Sequence, residues 1–253
     1  EQRIITTDLP PDLCQGGAPL QREVLAELVA DLLIEQGISS VSVELELLLP
    51  LPICDWRLLE GAAGLGDATS LRALAPEMTW PLQWQESYVA LTALNDRDME
   101  IVVGADRLIL QAWIDTVASA DLNLCQAEWL LVAAWRALQA LNASLEGEWV
   151  WLIESEGIWR LVLLREGLPE LDVALKATQL PSVRDEVLFL LDVWDQKQRQ
   201  IGVRRSWWIT AGPSWKGRWQ EGHGEGLHGP LVSDGEMSLL QLALKAPPAE
   251  NKS

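Results

Sequence analysis

Cysteine is scarce in this sequence, basic charge is scarcer than acidic, and no long apolar run occurs. Only Cys14, Cys54 and Cys125 are found in 253 residues, and no two stand in CxxC spacing. Scattered, odd-numbered thiols at apolar positions fit core packing in a reducing cytosol rather than a disulfide framework. No stretch approaches the ~18 apolar residues of a membrane-spanning helix. The nearest, VELELLLPLPICDWRLLE (43–60), is broken by Pro50 and Pro52 and carries five charges. Lys and Arg number 19 against 37 Asp and Glu, a formal charge of −18. That balance argues against a nucleic-acid surface, which needs clustered cations to neutralise phosphates, and against adhesion to anionic lipid. It suits a basic peptide or protein met through faster encounter, and equally plain solubility. The chain opens on Glu1 without an initiator Met or a basic-then-apolar leader, so a trimmed amino terminus is expected. One Tyr and one Phe stand against 14 Trp, which are expected to pack in the core. The pair Trp207–Trp208 on a strand puts one ring on each face, so one is either exposed or covered by a helix.

What is present reads as alternating strands and helices. RIITTDLP (3–10) is expected as a short strand, and Leu20–Gln36 as an amphipathic helix stopped by Gly37. SVSVELELLLP alternates with period two, with ICDWRLLE as its expected partner strand. GAAGLGDATS and the segment around Pro76 and Pro81 suggest an irregular or helical insertion. WQESYVALTAL and MEIVVGA are two strands separated by NDRD. Asp106 can cap a helix to about Ala120, and LNLCQAEW leads into a helix, apolar nearly all round, ending near Asn142. After NASLEGE, the best domain boundary, come WVWLIES, IWRLVLLRE and LPELDVAL in immediate succession. A helix from Ser182 to about Gln200 follows, with Ser182 and Asp185 in capping-box spacing, then RSWWITAG, the helix EMSLLQLALKA and the polar PPAENKS.

The order β-β-β-α-β-α in the second half is the signature of a ribonuclease-H-like lobe. Three segments carry a wider likeness: LPPDLCQGGAPLQREVLAELVADLLIEQGISSVSVELELLLP, MEIVVGADRLILQAWIDTVASADLNLCQAEWLLVAAWRAL and WVWLIESEGIWRLVLLREGLPELDVAL. By their order of elements they resemble the actin-like ATPase superfamily. Within it they resemble the PilM-type cytoplasmic proteins of type IV pilus assembly, relatives of the type II secretion L protein. The resemblance implies an α/β, actin-like (ribonuclease-H-like) two-lobed fold with mixed sheets and an incomplete first lobe. The lobes would be 1–145, with an inserted subdomain, and 146–246, followed by a polar tail at 247–253.

The same resemblance locates a nucleotide cleft and predicts its loss. Ala211 and Gly212, in WWITAG, resemble the strand-to-Gly turn that approaches adenosine. Active members open with a glycine-containing phosphate loop, and the chain here begins at what corresponds to a later strand. Their second phosphate turn is replaced by IESEGIW, with Glu154, Ser155, Glu156 and Gly157. Two carboxylates facing a triphosphate at ~4–6 Å would each cost on the order of a few kcal/mol at an effective dielectric near 20. The expectation is a degenerate cleft without catalytic residues, metal, ATP or Mg²⁺.

Other candidate sites are weaker. GAAGLGD lacks GK[ST] and GxGxxG spacing and reads as a loop. His223, Glu225 and His228 in GHGEGLHG could ligate zinc, but the glycines give no rigid frame and no fourth ligand is near. Glu154 with Glu156 as an acid–base pair is outweighed by a solvated hairpin rim, and Ser155 has no His close in sequence for a triad. The resemblance therefore implies a cytoplasmic scaffold of a type IV pilus or related secretion platform, recruited to the inner membrane. Its partner would be the basic and apolar amino-terminal peptide of a PilN-type protein, held in a groove between subdomains of the first lobe. The alternatives are an active actin-like ATPase, should a native phosphate loop exist, and an unrelated α/β module binding a small ligand in a Trp-lined pocket.

Overall fold

A computed structural model of the chain describes residues 5, 7–40, 43–60, 86–93, 99–141, 146–155, 157–200, 203–211 and 238–247, with only the backbone of Glu60, Thr92, Ala93 and Leu180. GAAGLGD, the region of Pro76 and Pro81, NDRD and the GHGEGLHG ligands lie outside these residues. The chain divides into two compact units, Glu1–Trp129 and Leu130–Ser253.

The first unit opens with a tight hairpin, β1 (Cys14–Gln15) and β2 (Ala18–Pro19), turned by Gly16 and Gly17 at positive φ. Gly17 is required twice over. Its φ of +84° is strained for any side chain, and a Cβ would lie 2.8 Å from Ile53 Cγ2 and Pro50 Cγ. Its carbonyl accepts from Trp113 Nε1 at 2.8 Å. The strand expected over RIITTDLP is not formed at residues 5 and 7–10; Pro10 and Pro11 remove the amide donors that would extend one. Helix α1 (Arg22–Glu35) follows the hairpin, then β3 (Glu44–Leu49), a 3-10 turn (Leu51–Ile53) and β4 (Cys54–Glu60). After β4 come β5 (Ser87–Ala93), β6 (Met99–Asp106), α2 (Arg107–Ser119) and β7 (Asn123–Trp129).

Strand pairing corrects the local reading. β3 and β4 are not partners: β3 runs parallel to β7, whereas β4 and β5 flank β6 in an antiparallel sheet of order β4-β6-β5. Pro50, Pro52 and the 3-10 turn redirect the chain between β3 and β4 instead of folding it back as a hairpin. Ala26, Val117, Ala120 and Leu122 form the core under α1 and α2, joined by Leu45 and Leu124 from the parallel pair. Trp56 and Trp129 meet edge to face at 5.5 Å and 86°, both buried, a contact worth ~1 kcal/mol beyond its area. Cys54 is buried and its thiol is pushed up to about 12, by desolvation first and then by Asp55. Cys125 departs from the core reading: it is exposed, at a bulge in β7, and its Sγ donates to the Leu45 carbonyl.

The second unit begins with α3 (Leu130–Leu141), whose Leu131, Ala133, Ala134, Trp135, Ala137 and Leu138 are all buried. Three antiparallel strands follow, β8 (Glu148–Ser155), β9 (Ile158–Arg165) and β10 (Leu168–Ala174), then α4 (Leu180–Gln198), β11 (Arg205–Thr210) and α5 (Leu239–Ala243). β11 returns parallel to β8, giving the sheet order β10-β9-β8-β11. α4 covers one face, over Val150, Leu152, Trp159, Leu161, Leu163 and Trp207. α3 packs against α5, and α5 also touches β8. α3 thus packs with the later elements, in the unit that begins at Leu130. Trp207 and Trp208, on opposite faces, are both buried.

α4 starts earlier than its capping signal suggested. Ser182 lies inside the helix, and the N-cap, Gln179, makes no side-chain cap bond. Pro181 in the first turn, with its preset φ, starts the helix instead. Glu186 accepts from the backbone N–H groups of Lys176 and Ala177 just upstream. A true capping box occurs at α5, where Ser238 and Gln241 bond each other's backbone amides.

Candidate functional site

The hairpin between β8 and β9 and the end of β11 are brought together by register. Trp208 lies opposite Trp151, Ile209 opposite Leu152 and Thr210 opposite Ile153. Because the two strands are parallel, Glu154 and Ser155 on β8 and Ala211 after β11 emerge at the same, carboxyl end of the sheet. That end is where open α/β sheets take ligands. Ala211 is buried and packs in the α4-side core, Glu154 and Ser155 are half-buried, and Gly157 is exposed. Glu156 and Gly212, the remaining expected site residues, lie outside the described residues.

The turn uses its own chemistry to close. Gly157 adopts φ +79°, and its N–H donates to Glu154 Oε1 at 2.8 Å. A carboxylate therefore takes the backbone donor that a phosphate oxygen would need at such a turn. The Glu154 carboxylate thus sets a negative charge at this turn. Beneath the turn, Trp151 Nε1 donates to Thr210 Oγ1 at 2.6 Å, with both residues fully buried. That bond ties the two parallel strands below the site. The apolar runs of WVWLIES and SWWIT mark both strands but not which indole finds which hydroxyl.

The opposite end of the same sheet carries an arrangement that sequence reasoning missed. Arg205, Glu148, Arg165 and Glu170 come from β11, β8, β9 and β10 in sheet order, so positive and negative charges alternate across all four strands. Arg205 Nε meets Glu148 Oε2 at 2.9 Å, Arg165 Nη2 meets Glu148 Oε1 at 2.9 Å, and Arg165 Nη1 meets Glu170 Oε1 at 3.0 Å. Asp195 of α4 grips Arg205 through both carboxylate oxygens. Desolvation pulls the Arg205 pKa down, but hydrogen bonds and charge from Asp195 and Glu148 outweigh it and leave it raised. Glu170 stands at the β10 bulge; burial raises its pKa most, Arg165 lowers it and Glu148 raises it further. The only signal in the sequence was a charge at or near one end of each strand: first in β8 and β11, last in β9 and third in β10. These charges, with Asp195, pair with one another across one end of the sheet, and Glu170 Oε2 is left buried without a hydrogen-bond partner.

Among the described residues, no helix is long and apolar enough to cross a membrane. Nor does any cluster of three His, Cys, Asp or Glu stand ready for a metal.

No protein-family profile and no curated protein sequence matches the chain. Solved structures do. A chain of the PilM-PilN type IV pilus biogenesis complex superposes with a TM-score of 0.66 at 15% identity, covering 96% of this chain and 90% of that one. A Bacteroides thetaiotaomicron protein described as having an actin-like ATPase fold and unknown function gives 0.55 at 11% identity, over 88% and 81%. The cytoplasmic domain of EpsL, an inner-membrane component of the Vibrio cholerae type II secretion system, gives 0.52 at 13% identity, over 89% and 79%. The chain has the actin-like ATPase fold, α/β with mixed sheets. Its similarity to the pilus complex chain spans nearly its whole length.

Proposed function

We propose that this protein is a scaffold of a type IV pilus or related secretion platform, an actin-like fold that no longer hydrolyses ATP. In this reading it works in the cytoplasm and binds the amino-terminal cytoplasmic segment of a PilN-type inner-membrane protein. The observation that carries the reading is the near full-length likeness to a chain of the PilM-PilN complex. The likeness to the cytoplasmic domain of EpsL supports a membrane-associated assembly role. The net charge of −18 suits a basic peptide. Loss of hydrolysis is supported by the turn at Gly157, whose amide already bonds the Glu154 carboxylate.

Two titrations test the two halves of the proposal. A synthetic peptide with the amino-terminal segment of a PilN-type protein is titrated into the chain at moderate salt. Saturable binding in the micromolar range is expected, and its absence removes the partner. Calorimetry with ATP and Mg²⁺ is expected to give a flat trace, whereas saturable heat with phosphate release would restore an active ATPase.

A further inference from the structure

The outer face of α4 carries apolar side chains where a surface helix ordinarily carries polar ones. Val183, Val187 and Leu191 are buried against the sheet, joined by Leu190 and Trp194. On the outward side Phe189, the only Phe of the chain, is 65% exposed, and Val193, one turn on, is 46% exposed. A single exposed apolar residue needs no explanation. These two stand four residues apart and therefore lie side by side on one face. The same spacing continues at both ends. Asp185 comes four residues before Phe189 and Lys197 four after Val193, and both are exposed. Along the helix the stripe reads acid, aromatic, aliphatic, base.

Such a stripe is complementary to itself. Its midpoint falls at Leu191. A second α4 laid antiparallel about that point sets Phe189 of each copy on Val193 of the other, and Asp185 of each beside Lys197 of the other. Residues spaced by four form the ridges that interdigitate in the commonest class of helix packing, with axes crossing near −50° and the two ridges aligned. Parallel pairing would instead oppose like charges at both ends. A purely basic peptide would suit the Asp185 end and be repelled at the Lys197 end. One group works against the antiparallel arrangement. Asp192, exposed beside the midpoint, would face Asp192 of the second copy; Gln196 Nε2 donates to its Oδ2 at 2.8 Å and eases that repulsion without removing it.

We propose that α4 is a self-association face, on which a second copy of this chain docks its own α4 antiparallel, Phe189 against Val193 and Asp185 against Lys197, about a two-fold axis. The contact is one helix wide, at the low end of specific interfaces, so a weak, concentration-dependent dimer is expected. Two bodies of charge −18 repel at long range, but at physiological ionic strength that reach shrinks to about 8 Å while groups in contact still interact. The inference goes beyond the pilus-platform reading and survives its failure, because it rests on the exposed side chains of one helix.

The test is sedimentation velocity on the full chain at physiological ionic strength, from low to high micromolar protein. A monomer–dimer equilibrium is expected, and Phe189→Asp is expected to leave monomer alone. Asp185→Lys or Lys197→Asp sets like charges together at both ends and should weaken the dimer by about tenfold. The double variant Asp185→Lys/Lys197→Asp should recover most of that loss. Lys197 Nζ also lies over the Trp194 ring, 5.9 Å from its centroid. The double variant lacks that contact just as Lys197→Asp does, so recovery reports the pairing between copies. Asp192→Asn should tighten the dimer by relieving the repulsion at the axis. Should Phe189→Asp misfold, as a thermal melt would show, the charge exchange between the exposed Asp185 and Lys197 carries the test. Monomer at every concentration, a dimer that survives Phe189→Asp, or a double variant no tighter than the single ones would each overturn the proposal.

Discussion

Arg205 is the residue on which the second unit depends most, because its guanidinium is buried and gripped from two sides. Glu148 and Asp195 hold it, and removing it leaves Glu148, itself only 8% exposed, with one partner in place of two. Truncation to Ala is therefore expected to destabilise the protein by about 3 kcal/mol, read as a lower urea midpoint at unchanged slope. Arg205→Lys should recover only part, since a single ammonium cannot reproduce the fork. Glu170 acts in the other direction. Its pKa is raised in the folded state, mainly by burial, so ionising it opposes folding. This opposition is absent below the unfolded pKa of about 4.3 and is complete once pH exceeds the raised folded value. Glu170→Gln should thus be at least as stable as the parent at pH 7. Its advantage should shrink as pH falls toward 4, where the parent carries the proton too. Thermal melts across that pH series measure it, and an advantage that grew on acidification would refute the sign.

At the scale of elements, the helix and strand ends carry the testable energy. Asp106 closes β6 and opens α2, its carboxylate accepting from the Leu108 and Ile109 amides at 2.9 and 3.0 Å. Asp106→Ala is expected to cost about 1 kcal/mol in equilibrium unfolding, with Asp106→Asn keeping most of it. α4 has no such side-chain cap, so Ser182→Ala, inside the helix, should leave stability within ~0.5 kcal/mol of the parent. The β8–β9 hairpin stands between these cases. Glu154 performs for Gly157 what Asp106 does for α2, satisfying a turn amide with a carboxylate. The pair most suggestive of an active site is thus half accounted for by local structure.

For the whole molecule, charge is the property with the widest reach. With −18 spread over 253 residues, any cationic segment is drawn to the protein before it finds its site. Affinity for a basic peptide should fall as salt is raised, because the screening length shrinks from about 10 Å at 0.1 M to about 3 Å at 1 M. A titration repeated at both ends of that range checks this. Affinity lost entirely at high salt would indicate electrostatic adsorption alone, whereas a residual part would report the backbone pairing or apolar packing that charge cannot supply.

Much of the secondary structure was legible in the sequence by itself. A period-two run marked β3, strand-like apolar runs marked β8, β9, β10 and β11, and the capping carboxylate at Asp106 marked the start of α2, because strand patterning and helix capping are local. The acidic balance, and the order of elements that pointed to an actin-like fold, were legible for the same reason. Only the tertiary structure decided who pairs with whom. ICDWRLLE joined β6 and not SVSVELELLLP, Trp207 and Trp208 were both covered, and α3 went with the second unit. The charge ladder from Arg205 to Glu170 and the bond from Gly157 to Glu154 depended likewise on register and turn geometry. Periodicity reports which face a residue occupies. The neighbour across that face is chosen by chain closure and non-local packing, which no window of sequence contains.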